Sequence, residues 1–346
     1  MKKKLIFPVL MSLLLASCAK EDRPADVGDR VNLRVSPLVT ASPEQPADTR
    51  TALWDGFVNN SQIGLGFFEQ GSFTAYDAGY QNILGTRNNN GVWAFRPAGA
   101  GSNISTIGVF KSKGAVDIYG HFPYNSAVGA VNIRQIPFTV GTTVDTNQDY
   151  MVSLPLSYDP VTDDAVITPV FHHVMTVLEF QVQTSYVGPM HLNSITLKAS
   201  EPIFGMSGTI DATSADPAGA VTVTPASLTD ELTIAYDITV PYSQATGTNP
   251  KYYSAAMIFP EIEVAETSDV TITVTFHFDT DMPLFEGGGS YTVNLKDIVV
   301  SDGTDRYGFL SGYRYIFAVK VDNFVKYSGY PVIVYWSDGT TTEIEF

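Results

Sequence analysis

Apolar side chains recur at every second position through much of this chain. Across 270–278, Val270, Ile272, Val274, Phe276 and Phe278 alternate with Thr271, Thr273, Thr275 and His277. That period turns one set toward a core and the other toward water, as in a half-buried β-strand. In the first half the pattern predicts strands over Ile63–Phe68, Val92–Phe95, Val116–Phe122, Asn132–Val140 and Tyr150–Leu154. Further on it predicts Val174–Gln183, Ile195–Ala199, Met206–Ile210, Ala220–Val223, Leu232–Val240 and Tyr253–Phe259. Val270–Phe278, Tyr291–Leu295, Tyr313–Val321 and Pro331–Trp336 complete the set. No convincing helical period occurs after residue 51. Many short one-sided strands argue for antiparallel sandwiches rather than a parallel α/β sheet. A polar, turn-rich patch, Asp159-Pro160-Val161-Thr162-Asp163-Asp164, separates the two halves. The expected architecture is all-β, with two tandem antiparallel β-sandwich domains at 51–168 and 169–346.

The residues before 51 read differently. Lys2, Lys3 and Lys4 precede an apolar run from Leu5 to Ala16. Twelve residues are too few for a membrane-spanning helix, which needs about twenty, so 1–17 is expected to be a secretory leader. It ends in Leu15-Ala16-Ser17-Cys18, which resembles the bacterial lipoprotein box. That resemblance implies lipidation of Cys18, cleavage just before it, and an acyl anchor in the outer membrane. Residues 18–50, rich in Pro, Ala, Ser and Asp, read as a tether. Its one alternating patch, Val31, Leu33 and Val35, suits a single strand.

Composition narrows the function. With 36 acidic and 20 basic residues the net charge is −16, which repels phosphate backbones, so no nucleic-acid partner is expected. The chain is 44% hydrophobic, which rules out wholesale disorder. Its single cysteine excludes an internal disulfide and a multi-cysteine metal site.

Candidate chemistry is sparse. The five histidines, His121, His172, His173, His191 and His277, include no helical i, i+4 metal pair. His172 and His173 are expected to open the strand running to Gln183, with side chains on opposite faces that cannot share a metal. Asp279, Asp281, Asp302 and Asp305 lie in turns without the graded spacing of a calcium loop. Gly-x-Ser-x-Gly is absent, and nothing singles out one carboxylate pair for glycoside cleavage. No enzyme, cofactor or metal is expected. Trp54, Trp93 and Trp336 raise sugar stacking as a second reading, although Trp93, between Val92 and Phe95, has the pattern of a core residue.

Four segments together resemble the fimbrillin family, the type V pilus subunits and related surface lipoproteins of Bacteroidetes. They are the lipobox and tether ending in Asp48-Thr49-Arg50-Thr51, then Asn147-Gln148-Asp149-Tyr150-Met151-Val152, then Phe171-His172-His173-Val174-Met175-Thr176-Val177-Leu178-Glu179-Phe180, then Gly312-Tyr313-Arg314-Tyr315-Ile316-Phe317-Ala318-Val319. The resemblance implies two transthyretin-like domains and a structural or adhesive role in a surface fimbrium. It also implies proteolysis between Arg50 and Thr51, loss of the strand at Val31–Val35, and filling of the opened groove by a neighbouring subunit. The donor would come from the C-terminal region, which carries Val332, Val334 and Trp336, then Ile344 and Phe346. The same terminal strand could close its own domain as an ordinary hairpin, which would suit a tip or anchor subunit. The alternative function is a permanently anchored surface lipoprotein that binds a glycan or host ligand.

Overall fold

The computed structural model describes residues 28–39, 57–128, 133–143, 148–184, 190–215, 221–240, 252–279, 289–301, 304–321, 325–327 and 331–335. Their regular secondary structure is almost all strand, as the alternation predicts, with a few short 3-10 turns and the rest in loops. The chain begins with β1 (Arg30–Val35), β2 (Leu38–Val39), β3 (Gln62–Glu69), β4 (Ile83–Arg87), β5 (Trp93–Arg96) and β6 (Ile107–Phe110). After a 3-10 turn at Lys111–Lys113 come β7 (Val116–Phe122), β8 (Ile136–Thr139), β9 (Met151–Ser153), β10 (Leu156–Tyr158), β11 (Val166–Ile167) and β12 (Val170–His173). Next follow β13 (Met175–Thr184), β14 (His191–Ala199), β15 (Phe204–Asp211), β16 (Thr222–Thr229), β17 (Glu231–Thr239) and β18 (Tyr253–Pro260). The last are β19 (Ile262–Val264), β20 (Thr271–Phe278), β21 (Gly289–Asn294), β22 (Val299–Ser301), β23 (Asp305–Phe309), β24 (Tyr313–Val321), β25 (Val325–Tyr327) and β26 (Val332–Tyr335).

Apolar side chains gather in two clusters. The first joins a three-stranded sheet, β11-β1-β6, to a larger one ordered β2-β12-β9-β7-β3-β4-β5. Leu33, Val35, Ile107, Val109 and Ile167 from the small sheet meet Ile63, Leu65, Phe67, Phe95, Ile118 and Phe171 from the large one. The second cluster draws on the sheets β18-β13-β24-β25 and β17-β14-β20-β21, with Phe180, Phe276 and Phe317 at its centre. Phe68, Tyr119 and Val152, on the large sheet, belong to this second cluster. The large sheet therefore buries both faces. That is why β3 reads as an unbroken buried run, Ile63 to Phe68, instead of alternating.

The structure departs from the sequence reading in three places. His172 and His173 do not open the strand to Gln183: β12 ends at His173 in the large sheet, and β13 starts at Met175 in another. Val174 alone separates them, its N–H donating to Tyr150 O at 3.0 Å. Both segments are apolar and extended, so the pattern carries no mark of the change of sheet. Short strands such as β2, β6, β10, β11 and β19 were likewise invisible, being too brief to show a period. Ile136–Thr139, on the N-terminal side of the Asp159–Asp164 patch, pairs as β8 with β15.

Candidate functional site: the strand edges and their locks

The N-terminal strand β1 lies between two partners. It runs antiparallel to β6, from Arg30 opposite Phe110 to Leu33 opposite Ile107. It runs parallel to β11, with Arg34 opposite Val166 and Val35 opposite Ile167. The parallel ladder continues past β1: N–H groups of Arg34, Ser36 and Leu38 donate to the carbonyls of Ala165, Ile167 and Pro169 at 2.9–3.0 Å. β2 then pairs with β12, Leu38 opposite Val170. Side chains alternate throughout, with Leu33, Val35 and Pro37 buried and Asn32, Arg34 and Ser36 exposed. At the entrance, the Asp29 carboxylate accepts from the Ser112 N–H at 2.8 Å and from the Ser112 hydroxyl. Arg30 lies across Gly108, where any Cβ would collide with its guanidinium. Residues 29–39 thus fill a slot that needs both a backbone partner and apolar side chains at alternate positions.

β26, the last strand among the described residues, lies at another edge. β24 pairs in parallel with β13 along one side. On its other side β26 covers Tyr313–Ile316 and β25 covers Val319–Val321, both antiparallel. Ile333 packs on the second cluster. β26 is therefore paired within its own chain.

Two buried acid–base pairs stand beside these edges. His173 Nδ1 lies 2.9 and 3.0 Å from the two oxygens of Asp149, with both residues under 10% exposed. Burial pushes the Asp149 carboxyl above the usual carboxylate range, and the neighbouring His173 pulls it partly back. Glu179, on β13, accepts from Arg314 Nε on β24, and Ser254 Oγ donates to its other oxygen at 2.7 Å. Gly312 N–H donates to Met175 O at 2.9 Å. The chain thus brings together the three segments around Asp149, Phe171–Phe180 and Gly312–Val319.

A family model described as fimbrillin-like matches residues 49–336. The chain belongs to the fimbrillin-like family. Membership sets it among fimbrial proteins of the cell surface, a structural class. Two crystal structures share the fold of this fimbrillin-like chain. A proposed cell adhesion protein from Bacteroides uniformis is 16% identical, with TM-score 0.54, covering 89% of this chain and 99% of that one. Another, from Bacteroides ovatus, is 17% identical, with TM-score 0.52, covering 88% and 97%. No curated protein matches in sequence.

Several sequence-predicted residues of this fimbrillin-like protein lie outside the described residues: Cys18, Arg50, Thr51, Trp54, Trp336, Ile344 and Phe346. Val332 and Val334 fall in β26. Val31–Val35 is the core of β1. Trp93 is buried against Phe57, ring centroids 5.1 Å apart, and offers no face to a sugar. Asp305 accepts from Ser301 Oγ at 2.6 Å within a turn, and Asp279 from Asn193 Nδ2 at 3.0 Å on a distant segment, both ordinary bonds between exposed side chains. The described residues contain no cluster of three or more metal-ligating side chains. Sequence reasoning missed both buried pairs. The available signal was a lone ionisable residue inside an apolar strand, Glu179 in Val177–Val182 and Arg314 in Tyr313–Val319.

Proposed function

We propose that this chain is a structural subunit of a surface fimbrium, exported as a lipoprotein precursor through Cys18 and joined to its neighbours by strand exchange. One observation carries the reading. An N-terminal strand that precedes Arg50 in sequence is held between β6 and β11 and contributes Leu33 and Val35 to the first core. Cleavage between Arg50 and Thr51 would cut the covalent link of that strand to the remainder. Its departure would leave unpaired N–H and C=O groups on both rims and empty apolar sites at alternate positions, a template for an incoming strand. Donor candidates are the C-terminal alternating residues Val332, Val334 and Trp336, or Ile344 and Phe346. The pairing of β26 with β24 inside one chain favours a terminal position, tip or anchor, in which this subunit accepts a strand without giving up β26.

The test is limited digestion of the purified precursor with an arginine-specific protease. A stable 51–346 product that binds a synthetic peptide of residues 28–39 supports the reading. Ladders in SDS without boiling would assign a stalk position, and their absence a terminal one. Cuts inside the strands, or a 51–346 product with no affinity for the peptide, would overturn strand exchange.

A further inference from the structure

We propose that a pocket beside the turn following β7 binds a neutral saccharide. The cavity measures about 320 Å³ and is walled chiefly by Tyr124, Asn125, Ser126, Pro137, Gln148 and Tyr150. That lies at the small end of the range of about 300–1,000 Å³ for ligand sites, room for a short glycan terminus and not a long chain. No wall residue carries a charge. Nothing there would neutralise a carboxylate or phosphate, and the net charge of −16 repels anions. The walls instead combine amides and hydroxyls, which donate and accept, with aromatic rings. This is the complement of a sugar, whose hydroxyl edge wants hydrogen bonds and whose C–H face stacks on a ring.

The wall is braced from behind. The Tyr124 ring stacks on buried His121, centroids 6.4 Å apart at 18°. Asn125 is tied at three points. Its N–H donates to His121 Nε2 at 3.4 Å, its carbonyl accepts from Asn82 Nδ2 at 2.8 Å, and its Oδ1 accepts from the Ala127 N–H at 2.9 Å. The side-chain amide keeps two Nδ2 donors and a second Oδ1 lone pair for a ligand. Tyr150 is fixed by its hydroxyl, which lies 3.1 Å from the Thr139 N–H. A preformed wall lowers the ordering cost of binding. Behind it, Asn82 Oδ1 and His121 Nδ1 are buried without a hydrogen-bond partner among the described residues, so the polar capacity here exceeds what the protein itself uses. The walls share no residue with the β1 slot or with β24 and β26. A subunit could be joined and occupied at once, which would give an assembled fimbria a recognition site on its flank.

Saturation-transfer NMR on the full purified chain tests this. The probes are methyl α-D-mannopyranoside, methyl β-D-galactopyranoside, N-acetylglucosamine, N-acetylgalactosamine and L-fucose, with N-acetylneuraminic acid as the anionic control. Transfer to at least one neutral sugar is expected, with at least tenfold weaker binding in Tyr124→Ala and Gln148→Ala. Because Tyr124 also packs on His121, the exposed Ser126→Trp serves as a second variant that plugs the cavity with the fold intact. No transfer to any neutral probe, preference for the anion, or binding undiminished by Ser126→Trp would each overturn the proposal.

Discussion

Arg314 and Glu179 are each no more than 5% exposed at the side chain and bridge β13 to β24 in the middle of the second core's main sheet. Burying two charges is costly, and their mutual attraction with Ser254 as a further donor offsets much of that cost. Removing one partner is a different matter, since it strands the other charge. Arg314→Ala is expected to cost about 3–5 kcal/mol in urea unfolding, while Glu179→Leu with Arg314→Met recovers most of it. A single-variant loss under about 1 kcal/mol would mean that the pair carries no such burden. His121 makes the opposite demand. It is fully buried, and desolvation takes its pKa down from 6.5 to about 4, so it stays neutral near pH 7. A Cβ on Gly64 would fall 1.9 Å from its ring, so only glycine fits opposite it. The folded state resists protonating His121 while the unfolded chain does not. Its contribution is therefore complete above pH 6.5 and is lost as pH falls toward 4, amounting to about 3 kcal/mol. The difference between wild type and His121→Asn in stability against pH should show that slope. Asp149, whose pKa is raised, acts in the opposite direction and is common to both proteins, so it cancels.

Elements were legible to the extent that one face met water. β20 alternates because its threonines and His277 are half-exposed while Ile272, Val274, Phe276 and Phe278 are buried. The strand at Val31–Val35 could be read for the same reason, and its burial pattern repeats it. What could not be read is which elements meet. The bonds from residues 34–38 to 165–169 join segments about 130 positions apart through backbone atoms, which carry no side-chain signature. The buried Asp149–His173 pair was hidden similarly, although both residues lay in segments chosen for their resemblance to one family. The saccharide pocket had no signal at all, since its polar walls come from turns and exposed strand ends. The reading of β1 yields a contrast at the scale of one strand. Leu33→Ala should cost about 2–5 kcal/mol, because Leu33 is wholly buried between two sheets. Asn32→Ala, one residue away and facing solvent, should stay within about 0.5 kcal/mol. Equal effects in thermal or urea unfolding would show that β1 is not held by its side chains.

The large sheet links the two cores, but the N-terminal segment serves only one of them. Leu33 and Val35, with Val31 and Val39 packed beside them, all belong to the first cluster, and no residue of 28–39 enters the second. Loss of that segment should therefore be felt unevenly across the molecule. β6 loses its antiparallel partner, and 165–170 lose the donors that Arg34, Ser36 and Leu38 supply. Their amides and carbonyls then depend on water, and the apolar side chains above them lose their cover. Strands β14, β17 and β20 keep every partner they have. Amide hydrogen exchange on the 51–346 product should show faster exchange at 107–110 and 166–171 than in the intact chain. Protection over 191–199, 231–239 and 271–278 should be unchanged. Adding the 28–39 peptide should restore protection at the first two segments, because a strand supplied in trans makes the same ladder as one supplied in cis. Uniform loss of protection would instead mean that the first core collapses without β1 and carries the second with it. A groove that cannot persist empty could not wait for a neighbour's strand, and exchange would have to be concerted with β1 leaving.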